Sequence, residues 1–290
     1  MRFRREHNCK IRKAIIFGEY VMTNIKNVQI SVIIPCYNCE QTIRRAVKSV
    51  YDQTMRPAEV ILIDDASRDG TWKRLSALQE QYGSSWLKLI SLKINSGPSG
   101  ARNAGWDVAS QPYIAFLDAD DSWHPQKVEI QYNWMINHPE IDMTTHLCNW
   151  VKGDTPDYNL PTNWKAKGIS RNKLLLRNCI STRAVMLKRD IPFRFDPEKR
   201  YSEDYLLWLT ILLKGYSIWN LELPLAYFYK APYGQGGLSG HLKEMERGEL
   251  DTYMQLYKMK LIGFSGLQIL KFWSFFKFLK RLLLIYLRLT

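Results

Sequence analysis

Two acidic groups in the 290-residue sequence invite chemistry: Asp64-Asp65, and Asp118, Asp120 and Asp121 together. Carboxylates crowded together repel and raise one another's pKa unless a cation sits between them. Hard oxygen ligands in small number, with coordination room left over, suit Mg²⁺ or Mn²⁺ shared with a phosphate. Asp is also a good turn former after a strand, so one such residue would carry little weight. Two clusters, each closing a strand-like run, point to a nucleotide–metal site.

The segments that must position these acids alternate in kind. Ile30-Ser-Val-Ile-Ile34 is a short β-branched run ending at Pro35, and Ile43, Ala46, Val47 and Val50 then recur at helical spacing. Glu59-Val-Ile-Leu-Ile63 reads as a second buried strand, residues 71–82 as a helix, and Leu87-Lys-Leu-Ile-Ser-Leu92 as a third strand. Gly97 to Gly100 make a turn into a helix over 101–109, and Tyr113-Ile-Ala-Phe-Leu117 is a fourth strand. This alternation predicts a parallel sheet covered on both faces, with ligands beyond the C-terminal ends of its strands. Both acidic clusters fall at that edge. Further on, residues 150–170 read as loop, 170–177 as helix, 184–188 as strand and 203–213 as an apolar helix. A glycine-rich stretch over 234–240 reads as mobile.

Four motifs follow one another in order: Ser31-Val-Ile-Ile-Pro-Cys-Tyr-Asn38, Leu62-Ile-Asp-Asp-Ala-Ser-Arg-Asp-Gly-Thr71, Asn95-Ser-Gly-Pro-Ser-Gly-Ala-Arg-Asn-Ala-Gly105 and Phe116-Leu-Asp-Ala-Asp-Asp121. Together they resemble the family-2 glycosyltransferases of GT-A fold, strongly over residues 30–125 and loosely to about 230. The resemblance implies an α/β domain over 29–240 with a Rossmann-like, mostly parallel sheet flanked by helices. It implies that Pro35 and Tyr37 line a nucleobase pocket, that Asp65 contacts uracil and that Arg102 sits over the nucleotide. Asp118 would contact the ribose or the metal shell, and Asp120 would bind the Mn²⁺ or Mg²⁺ that bridges the diphosphate. Ser202-Glu-Asp-Tyr-Leu-Leu-Trp208 resembles the family's Glu-Asp element, whose Asp acts as base. That role falls to Asp204, with Glu203 as neighbour or alternative, although acids also suit a helix's first turn. The implied reaction is a single displacement, inverting at the anomeric carbon, with UDP-glucose or UDP-galactose as donor.

Charge distribution narrows the partners. The chain carries +13 overall, yet residues 1–29 hold +5, residues 258–290 hold +7 with no acid, and the body between is near neutral. A neutral body argues against nucleic acid, which wants a basic stripe on the folded domain. Residues 1–28 read as a basic extension without the apolar core of a signal peptide, since Glu19 soon interrupts Ala14-Ile-Ile-Phe17. Residues 241–290 read as a helical, basic, aromatic-rich amphipathic tail lying in a membrane interface, the charge-free run over 261–270 being too short to span. The alternative for the tail is packing on the domain or on a partner subunit. A membrane-docked tail implies a lipid-linked acceptor, in bacteria an undecaprenyl-diphosphate sugar of surface polysaccharide (O-antigen) synthesis at the cytoplasmic face of the inner membrane. Five scattered cysteines fit a reducing compartment better than a disulfide framework, and Cys36-x-x-Cys39 lacks a second ligand pair for zinc. Two rivals stay open. A nucleotidyltransferase of related fold would place a glycine-rich basic loop where this chain has Pro35-Cys-Tyr-Asn38. A non-catalytic membrane-docked scaffold would not need Asp120 and Asp204.

Overall fold

The computed structural model describes residues 27–153, 155–230 and 241–289, with side chains as far as residue 283. The expected N-terminal extension, up to position 26, and the glycine-rich stretch 234–240 lie outside the described residues.

In chain order the first unit is β1 (Asn27–Cys36), α1 (Ile43–Tyr51), β2 (Arg56–Asp64), α2 (Thr71–Tyr82), β3 (Leu87–Ser91), α3 (Gly97–Val108) and β4 (Tyr113–Phe116). β1 pairs in parallel with β2 and β4, and β2 with β3, so the strands stand in the order 3-2-1-4. Alternate residues feed two cores. Ile33, Ile61, Ile63 and Phe116 pack with Trp106 on one face. Val32, Ile34, Val60, Leu62 and Ala115 pack with Val47 and Leu75 on the other. Burial on both faces explains why these strands are apolar runs rather than alternating ones.

Helix α3 starts at Gly97, so the expected glycine turn is the helix's own opening. Gly97 takes φ +70°, and Pro98 sits in the first turn, where its missing N–H is no loss. Further along, a Cβ on Gly105 would stand 2.6 Å from Ile33 Cγ2 and 2.7 Å from Ile63 Cδ1. Glycine there lets the helix lie close on the sheet, and this fixes the height of Arg102 above the strand ends.

The second unit is β5 (Ser122–Trp123), α4 (Lys127–Asn137), β6 (Met143–Trp150), β7 (Ala166–Gly168), α5 (Arg171–Leu176), β8 (Met186–Lys188), α6 (Glu203–Leu213), β9 (Ile218–Phe228), α7 (Leu242–Lys258) and α8 (Phe264–Leu289). It extends the sheet as 4-8-6-9-5. β8 is antiparallel to β4 and β6, β6 is parallel to β9, and β5 and β7 are antiparallel to β9. The first four strands are thus purely parallel and the remainder mixed, and the span read as loop over 150–170 contains β7. The pairing of β5 with Ala226 and Tyr227 has a consequence for the site: it brings the end of β9 back beside Asp120 and Asp121. Tyr205 and Trp208 of α6 join Tyr253 and Leu256 of α7 and Leu267 and Leu270 of α8 in the first core.

Candidate active site

Parallel strands end on one side, and here three adjacent strands deliver the polar groups. Asp65 N donates to Cys36 O at 2.8 Å just past β2, and Leu117 N donates to Ile33 O at 3.1 Å just past β4. Asp65 and Asp118 therefore flank the end of β1, with two strand spacings, roughly 10 Å, between their strands. Pro35, Tyr37, Asp65, Arg102, Asp118, Asp120, Glu203 and Asp204 all line one cleft of about 860 Å³. Every residue given a binding or catalytic role from the sequence reaches it. Asp64, in contrast, is buried, and its carboxylate faces the N–H of Ser67 at 3.4 Å.

Asp65 holds a neighbouring segment as well as a wall. Its Oδ1 accepts from Ser96 N at 2.7 Å and its carbonyl from Asn95 Nδ2 at 3.0 Å, which anchors the entry to α3. Burial raises its carboxyl above the usual range, against the N–H groups of Ser96 and Gly97. Ala66, next in sequence, adopts φ +55°. A left-handed alanine costs about 1 kcal/mol, so the turn is held by these bonds rather than by its own preference.

Arg102 is 6% exposed and spans the cleft floor. Its Nη2 reaches Asp118 Oδ1 at 2.8 Å and its Nη1 reaches Glu203 Oε1 at 3.0 Å. A second arginine, Arg183, stands 2.5 Å from Asp121 Oδ2 and 3.8 Å from Asp118 Oδ2. Burial alone would raise the Asp118 carboxyl, but the two guanidinium groups outweigh it and hold it below its ordinary value. Asp121 goes the other way: burial pushes it well up despite Arg183. Asp120 is held differently. It is partly exposed, and its Oδ2 lies 2.7 Å from Nζ of Lys230, a side chain that is itself 60% exposed.

Glu203 and Asp204 open α6 behind Ser202, a non-glycine residue at φ +57°. Such strain at a helix start persists only where surrounding contacts over-determine it. Asp204 Oδ1 accepts from its neighbour's N–H (Tyr205) at 2.6 Å, and Oδ2 accepts from Thr182 Oγ1 at 3.3 Å. Burial raises the Asp204 carboxyl, with Arg102 opposing. Burial and the Asp204 charge push Glu203 up to about 7, again against Arg102. The two acids differ in partner: Glu203 is committed to Arg102, and Asp204 is oriented by neutral donors only.

These placements decide what a divalent ion could use. Among the described residues no three His, Cys, Asp or Glu side chains converge into a metal cage. Asp118 and Asp121 are neutralised by arginines. Among the described residues Asp120 forms its ion pair with the solvated ammonium of Lys230, a positive charge standing where a metal cation could stand. One carboxylate plus substrate phosphates is how Mg²⁺ is commonly held, so the residues fit an ion shared with a diphosphate.

Some participants have no signal in the sequence. Arg183 follows Ser181-Thr182 in an unremarkable loop, and only the fold of the 3-10 turn Thr182–Ala184 beside β4 brings it to Asp118 and Asp121. Arg45 reaches the site from α1, donating through Nη2 to Asp120 O at 2.6 Å while stacking 3.6 Å over the Tyr229 ring. His124, one of five histidines, is a structural residue: it is buried, its Nε2 lies 3.0 Å from Tyr158 O and its Nδ1 accepts from Gln126 N. Lys230 stands at the cleft beside Asp120. Cys36 and Cys39 are buried free thiols, and burial pushes Cys36 well up.

Comparison with known proteins bears on the family and the fold. The family model described as Glycosyl transferase family 2 matches residues 31–192. The chain is 32% identical over 208 residues to the UDP-Glc:alpha-D-GlcNAc-diphosphoundecaprenol beta-1,3-glucosyltransferase WfaP of Escherichia coli, covering 69% of this chain and 76% of that one. It is similar in structure to S. aureus TarS 1-349 in complex with UDP-GlcNAc, with TM-score 0.63, 20% identity and coverage of 79% and 66%. It is also similar to the mannosyltransferase PcManGT from Pyrobaculum calidifontis in complex with GDP-Man and Mn²⁺, with TM-score 0.60, 17% identity and coverage of 79% and 64%. The chain thus spans just under two thirds of those two solved structures. At such identities the likeness bears on fold alone, and there the expected GT-A architecture holds.

Proposed function

The chain belongs to glycosyl transferase family 2, and on that footing we propose that its cleft moves a hexose from a UDP-sugar onto a lipid-linked saccharide, with inversion at the anomeric carbon. The observation that carries the reading is one cleft holding both a partly exposed carboxylate, Asp120, and a separately oriented one, Asp204. The first fits the diphosphate end of a donor and the second an acceptor hydroxyl. The named activity of the Escherichia coli relative supports the donor and acceptor classes.

Pro35, Tyr37 and Asp65 hold the nucleobase side, where Tyr37 offers an exposed ring at the mouth of the cleft. Asp204 takes the proton of the attacking hydroxyl, whose oxygen forms a new bond to the anomeric carbon as the bond to the diphosphate breaks on the opposite side. A base raised by burial is better matched to neutral pH than an ordinary carboxylate, yet it must be ionised to act. Thr182, Asn178 and the Tyr205 N–H keep it aimed. Arg102 and Arg183 hold Asp118 and Asp121 in place and leave the cleft's floor neutral. Asp120 would hold Mn²⁺ or Mg²⁺ together with the diphosphate, and the ion would neutralise charge developing on the departing nucleotide. Lys230, whose side chain is largely exposed, stands ready for the same phosphates.

Purified protein with Mn²⁺, a panel of nucleotide sugars and a lipid-diphosphate-sugar mimic tests this directly. Product from UDP-glucose or UDP-galactose is expected. Failure with every UDP-sugar would remove the donor assignment, and transfer undiminished by a chelator would remove the ion.

A further inference from the structure

Helix α8 meets its domain through a stripe that is apolar at its start and polar further along. Toward α5 and α7 it turns Leu267 and Leu270, then Ser274, Lys277 and Arg281, positions three or four apart that form one stripe. Ser274 Oγ donates to Glu246 Oε1 at 2.8 Å. Lys277 pairs with Glu249 and also donates to Leu176 O at 3.0 Å, and Arg281 Nη2 lies 3.4 Å from Glu249 Oε2. The outward face carries Ile269, Phe272, Phe275, Phe276 and Leu279, each between 43% and 66% exposed, while Trp273 at its border donates through Nε1 to Leu176 O at 3.0 Å. A helix that served only to complete the domain would turn such rings inward.

We propose that this outward face of α8 lies in the interfacial layer of an anionic bilayer, its rings at the acyl boundary and Lys271 and Lys280 against lipid phosphates. Charge selects this occupant over a second copy of the chain. Residues 258–290 contain no Asp or Glu, so a two-fold contact through this face would set lysine against lysine. An anionic surface supplies the missing negative charge. Lipid contact lengthwise also suits the helix. Its 26 residues are interrupted by Lys271, Lys277, Lys280 and Arg281, and no described helix is long and apolar enough to cross a membrane.

The docked face is coupled to the cleft by a short run of packing. Glu249, which holds α8, is on α7 beside Gly248. A Cβ on Gly248 would stand 2.7 Å from Tyr201 O, and Lys199 Nζ donates to Gly248 O at 2.7 Å. The segment leading to Asp204 therefore rests on the helix that carries the lipid-facing one. That a lipid-linked acceptor would meet Asp204 without leaving the surface rests on the transferase reading, whereas the bilayer contact does not.

Flotation of the full chain, with neither donor nor acceptor present, tests the contact. Vesicles of phosphatidylcholine with phosphatidylglycerol, and of phosphatidylcholine alone, are the two probes. The chain should float with the anionic vesicles, and F272S/F276S should weaken that binding by roughly tenfold or more. K280E should weaken the preference for anionic lipid while leaving thermal unfolding unchanged, since Lys280 is exposed and outside the packed stripe. Absence of binding to either vesicle, or binding untouched by both variants, would overturn the proposal. So would a solution dimer of a chain that ignores vesicles, if F272S/F276S dissolved it, because the second copy would then be the occupant. Vesicle binding by a chain inactive with every sugar would sink the transferase reading alone, and transfer by a chain that ignores vesicles would sink this one alone.

Discussion

Arg102 and Glu203, 101 positions apart in the sequence, meet in a buried 3.0 Å ion pair. Because the same guanidinium also grips Asp118 at 2.8 Å, one side chain ties the end of β4 to the start of α6. In the proposed reaction these are the donor and acceptor sides, so their separation is set by a rigid planar fork.

Removing that fork should be felt first as stability. Arg102→Met leaves buried Glu203 without its cation and Asp118 with Arg183 alone, a change expected to cost about 3–5 kcal/mol. Arg102→Lys, with a single point of charge, should recover only part of it. Urea unfolding measures both, and a Met variant as stable as the native chain would show that the bridge carries no structural weight.

Glu203 should also make stability depend on pH. It titrates at about 7 in the fold against an ordinary 4.5. An acid raised by folding binds more protons folded than unfolded between those values. Its contribution therefore favours the fold at low pH and is lost as pH climbs through 4.5 toward about 7. That gap corresponds to about 3 kcal/mol. Glu203→Gln should flatten the fall in stability over this window when melting temperature is followed against pH, and an unchanged slope would refute the assignment.

At the proposed base, Asp204→Asn should lower kcat by about 10²–10⁴ while UDP affinity stays as in the native chain. Glu203→Gln should retain more activity than Asp204→Asn. The reverse order would move the base to Glu203.

Asp120→Asn addresses the ion without any turnover. Titration of UDP with and without Mn²⁺ should show tighter binding with the ion for the native chain and little difference for the variant. Equal strengthening by Mn²⁺ in both would place the ion elsewhere.

Gly105→Ala puts a methyl group 2.6 Å from Ile33 Cγ2 and 2.7 Å from Ile63 Cδ1. Overpacking of this kind costs about 1–3 kcal/mol. Since α3 carries Arg102, the loss in thermal stability should come with weaker transfer, and a variant melting like the native chain would mean that the helix shifts freely.

Much of this protein is written locally. The parallel strands β1, β2 and β4 announce themselves as β-branched runs because both their faces are buried, and α6 begins where the acids before an apolar run say it should. The strand tips then oblige Asp65, Asp118 and Asp120 to share an edge, since parallel strands all end on one side. What local pattern did not carry, apart from β8, is the second half of the sheet. β6 and β9 are broken by His146, Asn149 and Pro224, and they are held by pairing with partners distant in sequence. Arg183 and Arg45 were invisible for the same reason: an arginine in a loop or on a helix looks solvated until the chain folds it onto a carboxylate. The direction in which α8 faces was likewise decided in three dimensions. Its aromatic residues were plain in the sequence, yet which side meets the domain depends on where Glu246 and Glu249 of α7 stand to receive Ser274, Lys277 and Arg281.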